Sequence, residues 1–237
     1  MPIPPSPGLE LEPSASSGIA RVRVIDPGQA LCLPWDRYVR LKAVADQVRS
    51  LAGGVGMRVL DVGGFDGALA LFLPGMEIDL IDPATTGGAI AEIICADRAY
   101  DVVCAVDVLE HVEPSEREAA LSECARVART HLILNYPSQE SLEAQALMLE
   151  LTGNDLVRQH VEWPLPASVA IAGQIEKLGF SCRVVPHGSV AVWLGQYLAQ
   201  HLSAEAGARL NRLLVARHAG EPFSLPLYHL VTASRRA

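Results

Sequence analysis

The chain has 237 residues, of which 50% are hydrophobic and 19% are charged, enough for one large domain with a substantial core. Its 19 Lys and Arg residues against 27 Asp and Glu residues give a net charge of −8, which argues against a general nucleic-acid-binding surface. No apolar run approaches the ~18 residues that a membrane span needs, and the N-terminal residues lack the pattern of a secretory signal.

The predicted elements follow a segment that is rich in Pro, Ser and Gly. Residues 1–20 carry no periodic apolar pattern, so we predict a flexible leader there and a single domain over residues 21–237. Apolar residues at helical spacing then predict an amphipathic helix over residues 34–51.

The rest of the chain alternates short apolar strands with helices. Predicted strands cover residues 57–62, 77–82, 91–96, 100–106, 131–136, 180–185 and 227–233. Two segments, about 137–165 and 187–224, exceed ordinary loops and carry helical patterns, so they are predicted to form a cap. Strands that are apolar throughout and separated by helices indicate a sheet covered on both faces. We therefore predict an α/β, doubly wound, mostly parallel seven-stranded Rossmann-like sheet with helical insertions after strands five and six.

The five cysteines lack the paired spacing of a metal site or a disulfide framework. Four of them lie in apolar runs that are typical of core segments. We therefore predict reduced thiols in a cytoplasmic protein.

The strongest chemical pattern is the turn after the first strand of the alternating region, which reads DVGGFDG over residues 61–67. Glycines let the backbone approach a ligand, and the N-terminus of the following helix offers free N–H groups. Asp82 ends the second of these strands, where an acid can accept both hydroxyls of a ribose. The alternative is a strand-to-helix turn that binds nothing, and the acid at position 82 favours the nucleotide site. A nicotinamide or flavin site would require the G-x-G-x-x-G pattern, which this turn does not supply.

The turn resembles the first motif of the class I S-adenosylmethionine-dependent methyltransferases, (D/E)-x-G-x-G-x-G. Asp61, Gly63 and Gly67 match it, while Phe65 replaces the middle glycine and Gly64 lies beside it. A second block, YDVVCAVDVLEHV over residues 100–112, resembles the fourth strand of that family and its following turn. The resemblance covers residues 36–136 and returns at 179–185 and 227–233, and it is closest to the type 11 and type 23 members.

This resemblance implies S-adenosylmethionine as the cofactor. The implied site contains Asp61, Gly63, Gly64, Phe65 and Gly67 around the methionine end, Asp82 and Pro83 at the ribose, Asp107 and Val108 under the methyl group, and Asp97 at the adenine.

Two histidines are candidates for a general base, which is needed when the acceptor must lose a proton. His111 follows the fourth predicted strand, and His160 lies in the first long segment. Alternatively, His111 only orders the turn in which it lies, and His160 is an ordinary surface residue. Asp107, Glu110, His111 and His160 also resemble the ligand set of some metal-dependent members, but these carry Glu where Asp107 stands, and we predict no metal.

The resulting hypothesis is S-adenosylmethionine-dependent methyl transfer to an oxygen or nitrogen of a small molecule or saccharide. The acidic charge balance favours such an acceptor over nucleic acid. The helical segment after residue 190 is also a candidate surface for a homodimer. The alternatives are a catalytically silent methyltransferase-like binding module, favoured by Phe65 and the helical additions, and a nicotinamide-dependent oxidoreductase.

Overall fold

The computed structural model of the chain describes residues 2–51, 56–217 and 226–236. Its strands are β1 (Leu9–Pro13), β2 (Ile19–Val24), β3 (Arg58–Val62), β4 (Glu77–Ile81), β5 (Tyr100–Val106), β6 (Ala128–Pro137), β7 (Phe180–Ser189) and β8 (Pro226–Arg235). Its α-helices are α1 (Trp35–Leu51), α2 (Arg117–Val127), α3 (Leu142–Thr152), α4 (Asp155–Glu162), α5 (Ser168–Lys177), α6 (Val190–Leu202) and α7 (Ala204–Arg217). Within these ranges, no helix combines the length and apolar composition that crossing a bilayer requires.

All eight strands form one sheet, in the order β1-β2-β4-β3-β5-β6-β8-β7. The four central strands β4, β3, β5 and β6 are parallel, whereas β2 and β8 run against their neighbours. The predicted α/β, Rossmann-like fold is therefore confirmed, with eight strands in place of seven.

Apolar side chains cover both faces of this sheet because successive residues of a strand point to opposite sides. On one face, Leu60 and Val103 pack with residues of α2 and α5. On the other face, their chain neighbours Val59 and Val102 pack with α1. The central strands are thus buried on both sides, which explains their continuous apolar sequences.

The N-terminal segment differs from the prediction of a flexible leader over residues 1–20. Residues 9–13 form the edge strand β1, which pairs antiparallel with β2, and β2 pairs with β4. Leu9 and Leu11 alternate with glutamates, the pattern of a strand with one face on a core, and Leu9 is buried beside Val22. The prediction was wrong for this hairpin because the Pro and Ser residues around it obscured a short alternating pattern.

The strand predicted over residues 91–96 does not form. Ile93 is buried, but its neighbour Ile94 is 55% exposed, and the segment contains bends and an isolated bridge between Ala89 and Glu92. The edge of β4 that a further parallel strand would use is paired with β2 instead. An early hairpin thus replaces the predicted third strand of the sheet.

The helices α3 and α4 lie in the first predicted insertion, and α6 and α7 lie in the second. Strand β7 continues to Ser189, so the second helical segment begins at Val190, and residues 218–224 lie outside the described residues. A third apolar cluster joins these helices to the start of α1 and to β8, through residues that include Trp35, Trp193 and Tyr228. The additional helices therefore pack over one end of the sheet.

Candidate active site

A cavity of about 550 Å³ lies at the carboxyl ends of β3, β4 and β5, within the usual size range of small-molecule sites. The turns after these strands supply one wall, and parallel α/β sheets bind ligands at this end. The strand-end residues in the wall are Asp61, Gly63, Gly64, Phe65, Asp82, Pro83, Asp107, Val108 and His111. The cap and α1 supply others, including Arg37, Arg40, Gln145, Asn154, Val157, His160, Trp193, Tyr197 and Tyr228.

The turn after β3 requires glycine at two positions. Gly63 has φ +65°, and a Cβ added there would lie 2.6 Å from Val108 Cγ2. A Cβ added at Gly64 would lie 2.2 Å from Asp61 Oδ2. These glycines therefore let the cavity wall fold closely around the Asp61 carboxylate. Gly67 begins the short 3-10 helix Ala68–Phe72 and does not line the cavity.

Asp82 joins the turn after β3 to the turn after β4. Its Oδ2 accepts a hydrogen bond of 3.0 Å from the backbone N–H of Phe65, and its Oδ1 accepts from the N–H groups of Ala84 and Thr85 at 2.8 and 3.1 Å. The carboxylate is 6% exposed and lines the cavity. The two parts of the predicted cofactor site are therefore adjacent, and Asp82 is held in a fixed orientation.

Asp61 presents a buried carboxylate to the cavity. It is 1% exposed, and its Oδ1 has no hydrogen-bond partner among the residues that the structure describes. Burial raises the pKa of Asp61 to about 7, and the nearby Asp66 adds to this rise whereas Arg37 opposes it. An unpartnered buried carboxylate oxygen is costly unless a ligand satisfies it.

Asp107 is held by a network that crosses the cavity wall. Its Oδ2 pairs with Arg40 Nε at 2.8 Å, and its Oδ1 accepts from Asn135 Nδ2 at 2.9 Å. Arg40 also pairs with Asp36 and donates to the Tyr228 hydroxyl, each at 2.9 Å. Burial raises the pKa of Asp107, and Arg40 opposes that rise.

Sequence reasoning missed Arg40 as a site residue. The four-residue spacing from Asp36 to Arg40 on a helix could have indicated an ion pair. The partners on β8 and after β5 lie far away in the sequence, and nothing local indicates them.

The two predicted histidines meet at the cavity wall. His111 ends a short 3-10 helix, Leu109–His111, and His160 lies on α4. Their Nε2 atoms are 3.3 Å apart. Burial lowers the pKa of His160 to about 3, with His111 and Arg40 adding to the effect, so this ring is neutral at pH 7.

Glu110 lies next to the histidine pair and is almost fully buried. It is 1% exposed, and both carboxylate oxygens lack a hydrogen-bond partner within the described ranges. Burial raises its pKa well above the ordinary value, and the charge of Asp107 acts in the same direction.

Asp97, the predicted adenine contact, lies outside the cavity. Its carboxylate is 75% exposed and pairs with Arg126 at 2.8 Å. The absence of the predicted strand over residues 91–96 explains this position, because Asp97 was placed at that strand's end. Ile90, from the same irregular segment, lines the cavity instead.

The comparison with protein families decides the class of the chain. A family model described as a methyltransferase domain matches residues 35–184, which is more than half of the sequence. The chain belongs to this methyltransferase family. The methyltransferase uses S-adenosylmethionine, as the sequence predicted.

Solved structures share the fold of this chain. A protein from Galdieria sulphuraria, assigned as a sarcosine dimethylglycine methyltransferase, has a TM-score of 0.53 at 13% identity, and the match covers 84% of this chain and 86% of that one. A protein from Anabaena variabilis, assigned as a methyltransferase of an antibiotic biosynthesis pathway, has a TM-score of 0.52 at 13% identity, with 88% and 100% covered. The [4+2]-cyclase SpnF has a TM-score of 0.51 at 16% identity, with 85% and 82% covered. A search of curated proteins found no match.

The site residues of the methyltransferase suit its cofactor. The unpartnered Asp61 oxygen fits the ammonium group of a methionine moiety, because buried carboxylates are stabilised by a cation. Asp82 retains lone pairs for hydroxyl donors beside the backbone N–H groups that hold it.

Proposed function

We propose that the enzyme transfers the methyl group of S-adenosylmethionine to an oxygen or nitrogen of a small molecule or saccharide. The observation that carries the proposal is the single cavity that Asp61, Asp82 and the histidine pair all line. Aromatic side chains of the cap, Trp193 and Tyr197, line the same cavity and suit a small organic acceptor. The net charge of −8 supports a small acceptor over a nucleic acid.

The residues of the chain have separate roles in this proposal. S-adenosylmethionine supplies a methyl group that is activated by its sulfonium charge. Asp61 binds the ammonium group, Asp82 the ribose hydroxyls, and Gly63, Gly64 and Phe65 give the backbone that lies against the methionine moiety. Pro83 borders the ribose, and Asp107 with Val108 lies beneath the transferred methyl group. Alignment of donor and acceptor can supply about 7–11 kcal/mol of the barrier reduction.

The histidine pair is proposed to contact the acceptor atom. A hydroxyl or ammonium acceptor must lose a proton before or during attack, and a nearby imidazole nitrogen can take it. His111 is the proposed base, and His160 lies against its ring with the two Nε2 atoms 3.3 Å apart.

The test of the proposal starts with the purified enzyme. Mass spectrometry should detect retained S-adenosylmethionine or S-adenosylhomocysteine, and calorimetry should show binding of one cofactor per chain. A panel of small alcohols, amines and saccharides, with the labelled methyl donor, then identifies the acceptor class. A chain that binds no cofactor at millimolar concentration would instead be a silent binding module, for which the half-exposed Phe65 in the glycine turn is the structural argument.

Asp82→Ala should weaken S-adenosylmethionine binding by about 10- to 100-fold, because the ribose loses its acceptor and the two turns lose their connection. Calorimetry measures the affinity, and thermal unfolding of the cofactor-free protein reports any change in stability. Asp97→Ala is the matched control and should bind as the parent does, because Asp97 lies outside the cavity. Parental affinity in Asp82→Ala, or an equal loss in Asp97→Ala, contradicts the assignment of the ribose site.

Asp61→Asn should change the pH dependence of both stability and binding. The raised pKa of Asp61, about 7 in the folded protein, means that its contribution to stability is complete below pH ~4 and is lost as the pH rises through 7. The variant should therefore unfold at a higher temperature than the parent at pH 8 and at the same temperature near pH 4.

Cofactor binding should show the opposite trend. The parent should bind more tightly as the pH rises from 6 to 8, because only the ionised carboxylate attracts the ammonium group. Asp61→Asn should bind weakly without this trend. A parent whose affinity is constant over this range would exclude Asp61 as the ammonium partner.

A further inference from the structure

The three side chains Glu110, His111 and His160 form a cluster that the proposed cofactor site does not use. One ligand atom of each lies within 4.8 Å of the ligand atoms of the others. His111 and His160 line the cavity, and Glu110 lies behind them. Asp107, which the sequence grouped with these residues, has its carboxylate occupied by Arg40 and Asn135. The structure therefore separates a cluster of two imidazoles and one carboxylate from Asp107.

The hydrogen bonds of the cap fix the tautomer of His160. The Ser141 hydroxyl donates to the Ser138 carbonyl, so its oxygen accepts the 2.8 Å bond from Gln145 Nε2. Gln145 thus directs Oε1 towards His160 Nδ1, which must donate to it. His160 Nε2 consequently presents a lone pair.

His111 is held in the same way. Its Nδ1 lies 2.6 Å from Gln159 Oε1, and with the Gln159 amide in this orientation the oxygen accepts and the proton is on Nδ1. The two Nε2 lone pairs then face each other at 3.3 Å. Two lone pairs at this distance repel each other unless a cation lies between them.

The separation of the nitrogens suits a metal ion. Two imidazole nitrogens bound to one tetrahedral ion at about 2.0–2.1 Å are about 3.3–3.4 Å apart, compared with the 3.3 Å observed. Metal-ligating histidines usually donate their other N–H to a carbonyl or carboxylate oxygen, as both do here to glutamine side chains. Glu110 adds a buried carboxylate whose oxygens have no hydrogen-bond partner among the described residues.

We propose that Glu110, His111 and His160 bind one divalent transition-metal ion whose free coordination positions face the cavity. Two imidazoles and a carboxylate are ligands that suit zinc, manganese, cobalt or ferrous iron. This inference rests on the proposed methyl transfer, replaces the assignment of His111 as its base, and narrows the acceptor to a compound with a hydroxyl that can bind the ion. With the ion in place, a hydroxyl bound to it would lose its proton to water, its oxygen would form the bond to the methyl carbon, and the carbon–sulfur bond would break with its electron pair remaining on sulfur. The histidines in this arrangement are metal ligands, and His111 is no longer the base.

The test measures metal binding without cofactor or acceptor. All proteins carry Cys32→Ser, which removes the exposed thiol, and are treated with chelator before titration with cobalt or manganese chloride. The parent should bind one ion per chain, and the visible spectrum of the cobalt form should indicate a site of low coordination number. Glu110→Gln and His160→Ala should weaken binding by at least about tenfold. His131→Ala, a partly buried histidine on β6 outside the cavity, should bind as the parent does.

The unfolding temperatures of the variants without metal show whether a loss of metal binding is caused by a loss of folding. Glu110→Gln preserves shape and removes a buried carboxyl group that has no hydrogen-bond partner among the described residues, so its unfolding temperature without metal should equal or exceed that of the parent. Metal should raise the unfolding temperature of the parent and leave those of Glu110→Gln and His160→Ala unchanged. Absence of stoichiometric binding in the parent, or equal binding in all variants, overturns the metal site. In that case, the Gln159 amide is rotated so that its NH2 group donates to His111 Nδ1. A proton on His111 Nε2 then forms a hydrogen bond to His160 Nε2.

Measurement of the cofactor separates this inference from the proposed function. A protein that binds S-adenosylmethionine but no metal refutes only the metal site. A protein that binds metal but no S-adenosylmethionine refutes methyl transfer and leaves the metal site standing. Full methylation of the acceptor after chelation would show that the histidine pair acts as the base and would also overturn the metal site.

Discussion

Arg40→Leu should lower the free energy of unfolding by about 3–5 kcal/mol, because removal of one partner leaves buried carboxylates without a counter-charge. Arg40 is the shared partner of Asp36 and Asp107, and the side chains of all three are less than one-fifth exposed. The Tyr228 hydroxyl loses its donor as well. Urea denaturation at pH 7 measures the change.

An exposed arginine provides the control for this experiment. Arg23 is 55% exposed and pairs with Glu10 and Glu12, so Arg23→Leu should cost no more than about 1 kcal/mol. Adding Asp107→Asn to Arg40→Leu should recover part of the loss, since it removes one of the uncompensated charges. If Arg40→Leu is as stable as Arg23→Leu, the network does not hold α1 to the sheet.

Gly64→Ala should weaken S-adenosylmethionine binding by about 100-fold or more, equivalent to about 2.7 kcal/mol. The new methyl group would lie 2.2 Å from Asp61 Oδ2 and 2.4 Å from its carboxyl carbon. Asp61 is buried at the end of β3, so the carboxylate must turn away from the cavity or the turn must move. Either change displaces the proposed ammonium partner. Calorimetry with S-adenosylmethionine measures the loss.

Two further variants test the cause of that loss. Gly173→Ala lies in α5, where an added Cβ meets no atom within 4 Å, so affinity should be unchanged and stability should rise by up to about 1 kcal/mol. The collision in Gly64→Ala should also lower the unfolding temperature, and adding Asp61→Ala should restore that temperature without restoring affinity. Parental cofactor affinity in Gly64→Ala would contradict this geometry.

Sequence reasoning succeeded where the determining interactions are local. The turn over residues 61–67 and the acid at position 82 lie at the ends of adjacent parallel strands, and topology brings such ends together. The structure accordingly places Asp82 within hydrogen-bond distance of Phe65. The role of these residues in binding the cofactor stays a prediction.

The failures have a common physical cause, which is pairing over long sequence separations. The hairpin at the N-terminus takes the edge of β4, and Arg21 pairs with Asp79 across 58 positions. That occupied edge leaves residues 91–96 without a strand to join, although their apolar composition is typical of one. Arg40 likewise meets Tyr228 across 188 positions. Local propensity carries no information about such partners.

Strand β8 follows β7 in the chain, yet in the sheet it lies between β6 and β7. The ribosome therefore synthesises β7 before the strand that connects β7 to the sheet. Leu227 and Tyr228, which line the cavity, belong to that later strand. A nascent chain still on the ribosome lacks both a closed sheet and a complete cavity. A chain truncated before β8 should consequently be inactive even when every residue of the glycine turn is present.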